Sequence, residues 1–160
     1  MSDDSYSTLK IERHGDVARL ALNRPDKLNS FNATLRGELL HAANALNDDP
    51  ELRVIILAGE GRAFSAGADL ADGQDGDPAN VGDATEHMLN ADYKPAILAI
   101  AESNKLWIAE VGGAAAGIGS AFMLACDLVV MAEGAYLYQA FAAISLIPDG
   151  GATWQLLNAV

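Results

Sequence analysis

The sequence of 160 residues predicts an α/β protein, because segments with the pattern of β-strands lead into glycine-rich or small-residue turns and then into helical segments. This succession recurs along the chain. The composition, with 51% hydrophobic and 20% charged residues, is typical of a folded protein with a buried core. At this length we expect a single domain that covers residues 1–160.

The first part of the chain predicts a β-hairpin, a helix and a buried strand. Residues 8–13 and 17–22 alternate between apolar and polar side chains on either side of a short turn, which is the pattern of a hairpin. A helix is expected from Asn32 onwards, because apolar residues recur there at helical spacing, namely Leu35, Leu39, Ala42 and Leu46. Residues 53–57 (RVIIL) form a short apolar run of strand length.

The next part of the chain predicts two loops and then two helical segments. Residues 58–70 form a loop of small residues, where the backbone can approach another group closely. Residues 72–83 are acidic and rich in glycine, so we expect an exposed surface loop. Helical sequence is predicted around residues 85–91, and Pro95 suits the first turn of a second helix.

The last part of the chain repeats the pattern of strand, turn and helix. Residues 106–111 predict a strand, and residues 112–119 (GGAAAGIG) predict a glycine-rich turn that leads into apolar helical sequence. Residues 127–131 and 135–138 are further candidate strands, and residues 152–160 have a helical pattern.

Charge and cysteine content exclude several classes of protein. The formal net charge of −12 argues against nucleic acid or an anionic membrane surface as a partner, because both require a basic face. The longest uncharged run, residues 111–126, is too short and too rich in glycine for a membrane span. Cys126 is the only cysteine, which excludes an internal disulfide. No targeting pattern is visible at the start, so we expect a cytoplasmic protein.

Common catalytic and metal-binding motifs are absent from the sequence. His14, His41 and His87 do not have the spacing of zinc ligands. The segment 117–119 is a bare GxG without the third glycine of a dinucleotide-binding motif. Ser65 does not lie in a GxSxG motif, which argues against a serine nucleophile.

Two small-residue turns and one aspartate remain as candidates for chemistry. The turns at residues 66–68 and 117–119 each follow a strand, and two such turns with free amides that meet would form an oxyanion hole from the main chain. The alternative is that their small residues only allow tight packing of helix on sheet. Asp149, between Pro148 and Gly150, is either a general acid or base or the N-cap of the following helix.

Five ordered sequence strings resemble the crotonase family of enoyl-CoA hydratases and isomerases. They are residues 22–29 (LNRPDKLN), 56–59 (ILAG) together with 62–70 (RAFSAGADL), 111–119 (VGGAAAGIG), 125–128 (ACDL) and 146–151 (LIPDGG). The resemblance implies a spiral of ββα units that binds coenzyme A thioesters and stabilises a thioester enolate with two backbone amides.

The resemblance also implies roles for individual residues. By their places in the motifs, the two oxyanion amides are those of Ala68 and Ile118, and the carbonyl of Ala66 meets the adenine of coenzyme A. Ile118 stands where the family often has glycine, a change that leaves the amide in place. The remaining residues implied in coenzyme A binding are Arg24, Lys27, Arg62, Asp69 and Leu70.

The sequence departs from typical hydratases at their two catalytic glutamates, where it has Ala121 and Phe141. Asp149 remains, at a position where some isomerases of the family place their acid–base residue. The sequence around it is most similar to the branch of the 1,2-epoxyphenylacetyl-CoA isomerases. Phe122 and Phe141 are candidates to line an acyl pocket, with packing in the core as the alternative for at least one of them.

We therefore expect an enzyme that isomerises an unsaturated acyl-CoA, with Asp149 as acid and base and no cofactor besides the coenzyme A of the substrate. The alternatives are a hydratase that uses Asp149 and a water molecule, and a relative that binds acyl-CoA without turnover. Family members usually continue after the Pro-Asp-Gly-Gly turn into helices that form trimers or dimers of trimers. We expect this helical part to be missing from the sequence, which ends at Val160.

Overall fold

A computed structural model describes residues 6–72 and 81–159 of the chain. Within them, eight strands are present: β1 Leu9–His14, β2 Val17–Leu22, β3 Val54–Gly59, β4 Ala63–Ser65, β5 Leu106–Val111, β6 Ala114–Ala116, β7 Leu128–Met131 and β8 Leu137–Tyr138. The α-helices are α1 Ala33–Asp48, α2 Val81–Met88, α3 Lys94–Ala101, α4 Ile118–Ala125 and α5 Ala152–Ala159. Short 3₁₀ turns cover Pro25–Lys27 and Ala140–Ile144, and a π-helical turn covers Leu89–Tyr93.

The strands form two sheets that the chain builds alternately. The larger sheet has the order β1-β2-β3-β5-β7, and the smaller one has the order β4-β6-β8. Apart from the antiparallel β1–β2 hairpin, the pairs are parallel. From β3 onwards, each strand of the larger sheet is followed by one of the smaller sheet and then by helical turns. This repeat of two strands and a helix confirms the predicted α/β class and the ββα spiral.

The core lies between the larger sheet and the helices. Its largest fully buried side chains include Trp107, Phe31, Phe64 and Phe122. The apolar face predicted for α1 is buried, and Asn32 caps the helix by accepting a hydrogen bond from the amide of Leu35. Among residues 6–72 and 81–159, no helix has the length and apolar character needed to cross a bilayer.

Two predicted loops each contain a short strand. The predicted loop 58–70 includes β4, and the predicted turn 112–119 includes β6. These strands pair with each other, with Ala63 opposite Ala114. Segments of three small or mixed residues carry no periodic signal, so only this tertiary pairing makes them strands.

Other boundaries differ from the predictions in smaller ways. Of the predicted acidic loop 72–83, residues 73–80 lie outside the described residues, and α2 already begins at Val81. The helical segment predicted around residues 85–91 and the helix predicted to begin at Pro95 are joined through the π-helical turn. The predicted strand 135–138 is reduced to β8.

Candidate active site

The two small-residue turns lie against each other, because they follow neighbouring parallel strands. The backbone angle φ is +95° at Gly67 and +50° at Gly117, in the region that favours glycine. A Cβ atom on Gly67 would lie 2.9 Å from the carbonyl oxygen of Ala116 and 3.5 Å from the Cα atom of Gly117. The chain therefore brings residues 68 and 118 to the same end of the small sheet.

The backbone amide of Ala68 has no hydrogen-bond partner in the part of the chain that the structure describes. The amide of Phe31 donates to the carbonyl of Gly67 at 2.8 Å, and the amide of Asp69 donates to the carbonyl of Phe31 at 3.1 Å. Because the residues on either side make these bonds, the N–H group of Ala68 points away from Phe31. Within the described residues it donates to no acceptor, and Ala68 is exposed.

The amide of Ile118 is the first of helix α4, and such amides have no partner inside their own helix. The carbonyl of Gly117 is occupied, since it accepts hydrogen bonds from the amide of Ser120 at 3.0 Å and from its hydroxyl at 2.6 Å. Gly119 allows α4 to pack directly on β4, because a Cβ atom there would lie 2.6 Å from Cβ of Ser65.

Ser65 supports the first turn and is not placed as a nucleophile. Its hydroxyl donates to the carbonyl of Asn29 at 2.8 Å and accepts from the amide of Gly67 at 3.1 Å. The residue is fully buried. Its hydrogen bonds therefore hold the backbone that presents Ala68.

Asp149 lies at the start of α5, but its carboxylate does not cap that helix. The amide of Ala152 donates to the main-chain carbonyl of Asp149 at 2.9 Å, and the side-chain atom Oδ1 is buried without a hydrogen-bond partner among residues 6–72 and 81–159. Burial raises the pKa of Asp149. A Cβ atom on Gly150 would lie 2.5 Å from Cδ1 of Ile118, so Asp149 is held close to the second turn.

A mainly apolar cavity of about 390 Å³ opens beside Asp149. Its wall is formed by the π-helical turn, α3 and the start of α5, and includes Leu89, Tyr93, Ile97, Asp149, Trp154 and Gln155. Asp149 is the one carboxylate that the described residues place in this wall. The cavity has the size and polarity of a small-molecule site.

Apolar side chains occupy the two positions at which the resemblance to hydratases implies glutamates. Ala121 is fully buried, and its Cβ atom lies 2.8 Å from where a Cβ of Gly150 would be. Phe141 is buried in its 3₁₀ turn. Phe122 belongs to the core, where its ring stacks on Phe31 with the centroids 4.8 Å apart, and it does not line the cavity.

Two of the residues that we expected to bind coenzyme A form an ion pair with each other. The guanidinium of Arg24 donates to Oδ2 of Asp69 at 3.0 Å and also to the carbonyl of Ser30. Burial favours the neutral carboxyl, but the hydrogen bonds from Arg24 outweigh it and hold the pKa of Asp69 below its usual value. The pair ties the segment that follows the turn at residues 66–68 to the segment before α1.

The other residues expected at coenzyme A lie on the surface. Lys27, Arg62, Ala66 and Leu70 are all exposed. Lys27 and Arg62 form no ion pair with any residue that the structure describes. The amide of Ala66 donates to the carbonyl of Leu28 at 2.8 Å, while no described group donates to the carbonyl of Ala66.

We expect Arg24→Ala to lower stability by about 1–3 kcal/mol, because it leaves the half-buried carboxylate of Asp69 without its partner. Thermal unfolding followed by circular dichroism measures the effect. The matched control is Arg53→Ala, since Arg53 is exposed and in no ion pair with the described residues. Equal melting temperatures for the two variants would contradict a structural role of the pair.

Sequence reasoning missed Tyr93 and Gln155 as site residues. The hydroxyl of Tyr93 and Oε1 of Gln155 are buried without hydrogen-bond partners in the described part of the chain. Both residues line the cavity beside Asp149. Neither residue has a clear signal in the sequence, because Tyr93 stands between two charged residues in a stretch of mixed polarity before Pro95. Among the described residues, no group of three His, Cys, Asp or Glu side chains could hold a metal ion.

Known proteins match this chain along almost its whole length. The profile of the enoyl-CoA hydratase/isomerase family matches residues 12–160. The chain is 41% identical over 152 residues to a "Probable enoyl-CoA hydratase" of Rhodobacter capsulatus, covering 95% of this chain and 56% of that protein. It is 37% identical over 140 residues to the 1,2-epoxyphenylacetyl-CoA isomerase of Escherichia coli, covering 88% and 53%.

Solved structures show the same fold. An enoyl-CoA hydratase from Mycobacterium avium subsp. paratuberculosis superposes with a TM-score of 0.84 at 32% identity, covering 96% of this chain and 59% of that one. The chain thus spans a little over half the length of the curated relatives it matches.

Proposed function

The chain belongs to the enoyl-CoA hydratase/isomerase family, as the resemblance to crotonases predicted, and on this premise we propose that it isomerises the double bond of an unsaturated acyl-CoA. The observation that supports the proposal is that two backbone amides and a buried carboxylate oxygen, none with a hydrogen-bond partner among the described residues, lie on segments that meet around Ile118. Ala68 and Ile118 supply the amides, and Asp149 supplies the carboxylate. No cofactor is needed besides the coenzyme A of the substrate.

The amides would hold the thioester oxygen while charge develops on it. Removing a proton next to a thioester leaves an enolate, which is unfavourable unless donors already point at the oxygen. Each donor of this kind is typically worth about 10²–10³ in rate. The N–H groups of Ala68 and Ile118 donate to no acceptor among the described residues and lie on turns that touch at Gly67 and Gly117, which supports this role.

The carboxylate of Asp149 would carry the proton in both directions. It takes a proton from the α-carbon of a 3-enoyl-CoA, and the electron pair of that C–H bond passes into the enolate. The protonated Asp149 then gives the proton to the γ-carbon, a new C–H bond forms, and the double bond moves to the 2-position. One group suffices for both transfers, and no oxidant or reductant is consumed.

Isomerisation fits the site better than hydration does. Addition of water requires one group to activate the water and another to deliver a proton to the α-carbon. The positions of the two hydratase glutamates hold Ala121 and Phe141, and Asp149 is the carboxylate that the described wall of the cavity offers. A hydratase that uses Asp149 and a water molecule, and a relative that only binds acyl-CoA, are the alternatives.

Product analysis distinguishes the three possibilities. The protein is incubated with hex-3-enoyl-CoA, and the product is identified by chromatography and mass. We expect the 2-enoyl isomer with unchanged mass. A product heavier by one water molecule would favour the hydratase, and recovery of bound but unchanged substrate would favour the binding protein.

The rate should depend on pH through Asp149. The ionised form is the base, so kcat/KM rises as pH increases through the pKa of this residue, and burial raises that pKa above the usual value of about 4. We therefore expect the acidic limb of the pH–rate profile to lie above pH ~4. A limb at or below that value would contradict a buried base.

The surface suggests how the whole protein binds coenzyme A and assembles. Lys27 and Arg62 are the exposed cations that we propose for its phosphates. We also propose that the whole protein forms homotrimers or dimers of trimers, because large apolar side chains such as Leu128, Val130 and Ile147 are exposed. Analytical ultracentrifugation of the whole protein measures the assembly.

A further inference from the structure

Tyr93 is packed on several sides in the wall of the cavity. It ends the π-helical turn between α2 and α3, and turns of this kind recur at functional sites. Its ring packs edge-on against Phe31, with the centroids 6.0 Å apart, and the guanidinium of Arg36 lies over it, 5.5 Å from the centroid. Arg36 is itself bound by Asp72 at 2.9 Å and by Asp92 at 2.8 Å.

The hydroxyl of Tyr93 makes no hydrogen bond of ordinary length in the described residues, although the residue is only 2% exposed. The guanidinium of Arg36 is near enough to counteract part of the rise in the pKa of Tyr93. Oε1 of Gln155 and Oδ1 of Asp149 are also buried and have no hydrogen-bond partner among the described residues. All three residues line one cavity. Buried polar atoms are normally hydrogen-bonded, so three such atoms around one space point to a ligand that bonds to them.

The chemistry of the three groups defines what the ligand offers. The Tyr93 hydroxyl donates and accepts, and burial raises its pKa to about 12, so it keeps its proton at neutral pH. Oε1 of Gln155 and the carboxylate of Asp149 accept. A group that both donates and accepts can accept a hydrogen bond from Tyr93 and donate one to Oε1 of Gln155 or to the carboxylate of Asp149. An alcohol is the simplest such group that an acyl chain carries.

The rest of the wall limits the ligand to a mainly apolar molecule. Leu89, Ile97 and Trp154 contribute apolar surface, and Lys94 is the other charged residue besides Asp149 that the described residues place there. A plain hydrocarbon chain would fill the space but would leave the three polar atoms without partners, which weakens binding.

We propose that Tyr93 and Gln155, together with Asp149, form a subsite for a hydroxyl group on the acyl chain, close to the carbons that react. This inference rests on the proposed function, because it takes the cavity as the acyl site. It makes Tyr93 and Gln155 residues that determine specificity and assigns the substrate to the hydroxylated acyl-CoA thioesters.

Binding of two saturated thioesters tests the subsite without any chemistry. Dissociation constants of hexanoyl-CoA and 5-hydroxyhexanoyl-CoA are measured by calorimetry for the wild type, Tyr93→Phe and Gln155→Met. We expect the wild type to bind the hydroxylated thioester about 10- to 100-fold more tightly. In Tyr93→Phe the ratio should fall to nearly one, while the affinity for hexanoyl-CoA is kept or improved.

The matched control is Tyr136→Phe, since Tyr136 is exposed and lies outside the cavity wall. It should keep the wild-type ratio. A wild-type ratio near one, or an unchanged ratio in Tyr93→Phe, would overturn the subsite and indicate that water satisfies the three atoms. Absence of binding for both thioesters would instead contradict the proposed function.

Discussion

Asp149→Asn is expected to reduce the isomerisation of a 3-enoyl-CoA by about 10²–10⁴-fold, because the amide cannot take up the α-proton. The affinity for a saturated acyl-CoA should change little, since the side chain keeps its size and its place beside Ile118. Steady-state kinetics with hex-3-enoyl-CoA and calorimetry with hexanoyl-CoA measure the two effects. Loss of binding in parallel with activity would show that the residue acts on structure.

The stability of this variant gives a second, independent check. Burial raises the pKa of Asp149 in the folded protein, so the folded state loses stability as pH rises from the unfolded value of about 4 through the raised one. At neutral pH the neutral asparagine avoids that cost, and Asp149→Asn should melt at a higher temperature than the wild type. Asp83→Asn, on an exposed position of α2, is the control for both measurements.

Gly117→Ala should produce the second large effect, through the position of the Ile118 amide. Gly117 has φ +50° and ψ −131°, a conformation that residues with a Cβ atom rarely adopt, so alanine would force the turn to move. We expect kcat to fall by about 10²-fold or more, the value of one displaced oxyanion donor. Stability should fall by about 1–3 kcal/mol from backbone strain.

Gly37→Ala is the matched control for this substitution. Gly37 lies on the exposed side of α1, its φ is not in the positive range, and a Cβ atom there would meet no other atom within 4 Å. Alanine should stabilise the helix slightly and leave the activity unchanged. If Gly117→Ala kept full activity, the Ile118 amide would not hold the thioester oxygen.

The elements with strong periodicity could be predicted from the sequence. The β1–β2 hairpin, α1 and β5 follow alternating or helical patterns, and β5 was predicted with its observed bounds. Strands β4 and β6 could not be predicted in this way, because each has three residues and its extended form depends on the neighbouring strand.

The site was predictable only as separate pieces. The sequence indicated two small-residue turns, but their contact through Gly67 and Gly117 is a property of the folded sheet. For Asp149 the sequence left the choice between a helix cap and an acid–base residue open, because burial of Oδ1 depends on distant elements. Tyr93 and Gln155 lie far apart in sequence and meet only at the cavity.

A crystal structure of the protein with hexanoyl-CoA, which the site can bind but not isomerise, tests the proposed roles of the two amides and Asp149 most directly. We expect the thioester oxygen within about 2.7–3.1 Å of both the Ala68 and the Ile118 amide nitrogen, with the α-carbon facing the carboxylate of Asp149. A thioester oxygen that contacts neither amide, or an acyl chain outside the cavity beside Asp149, would contradict these roles.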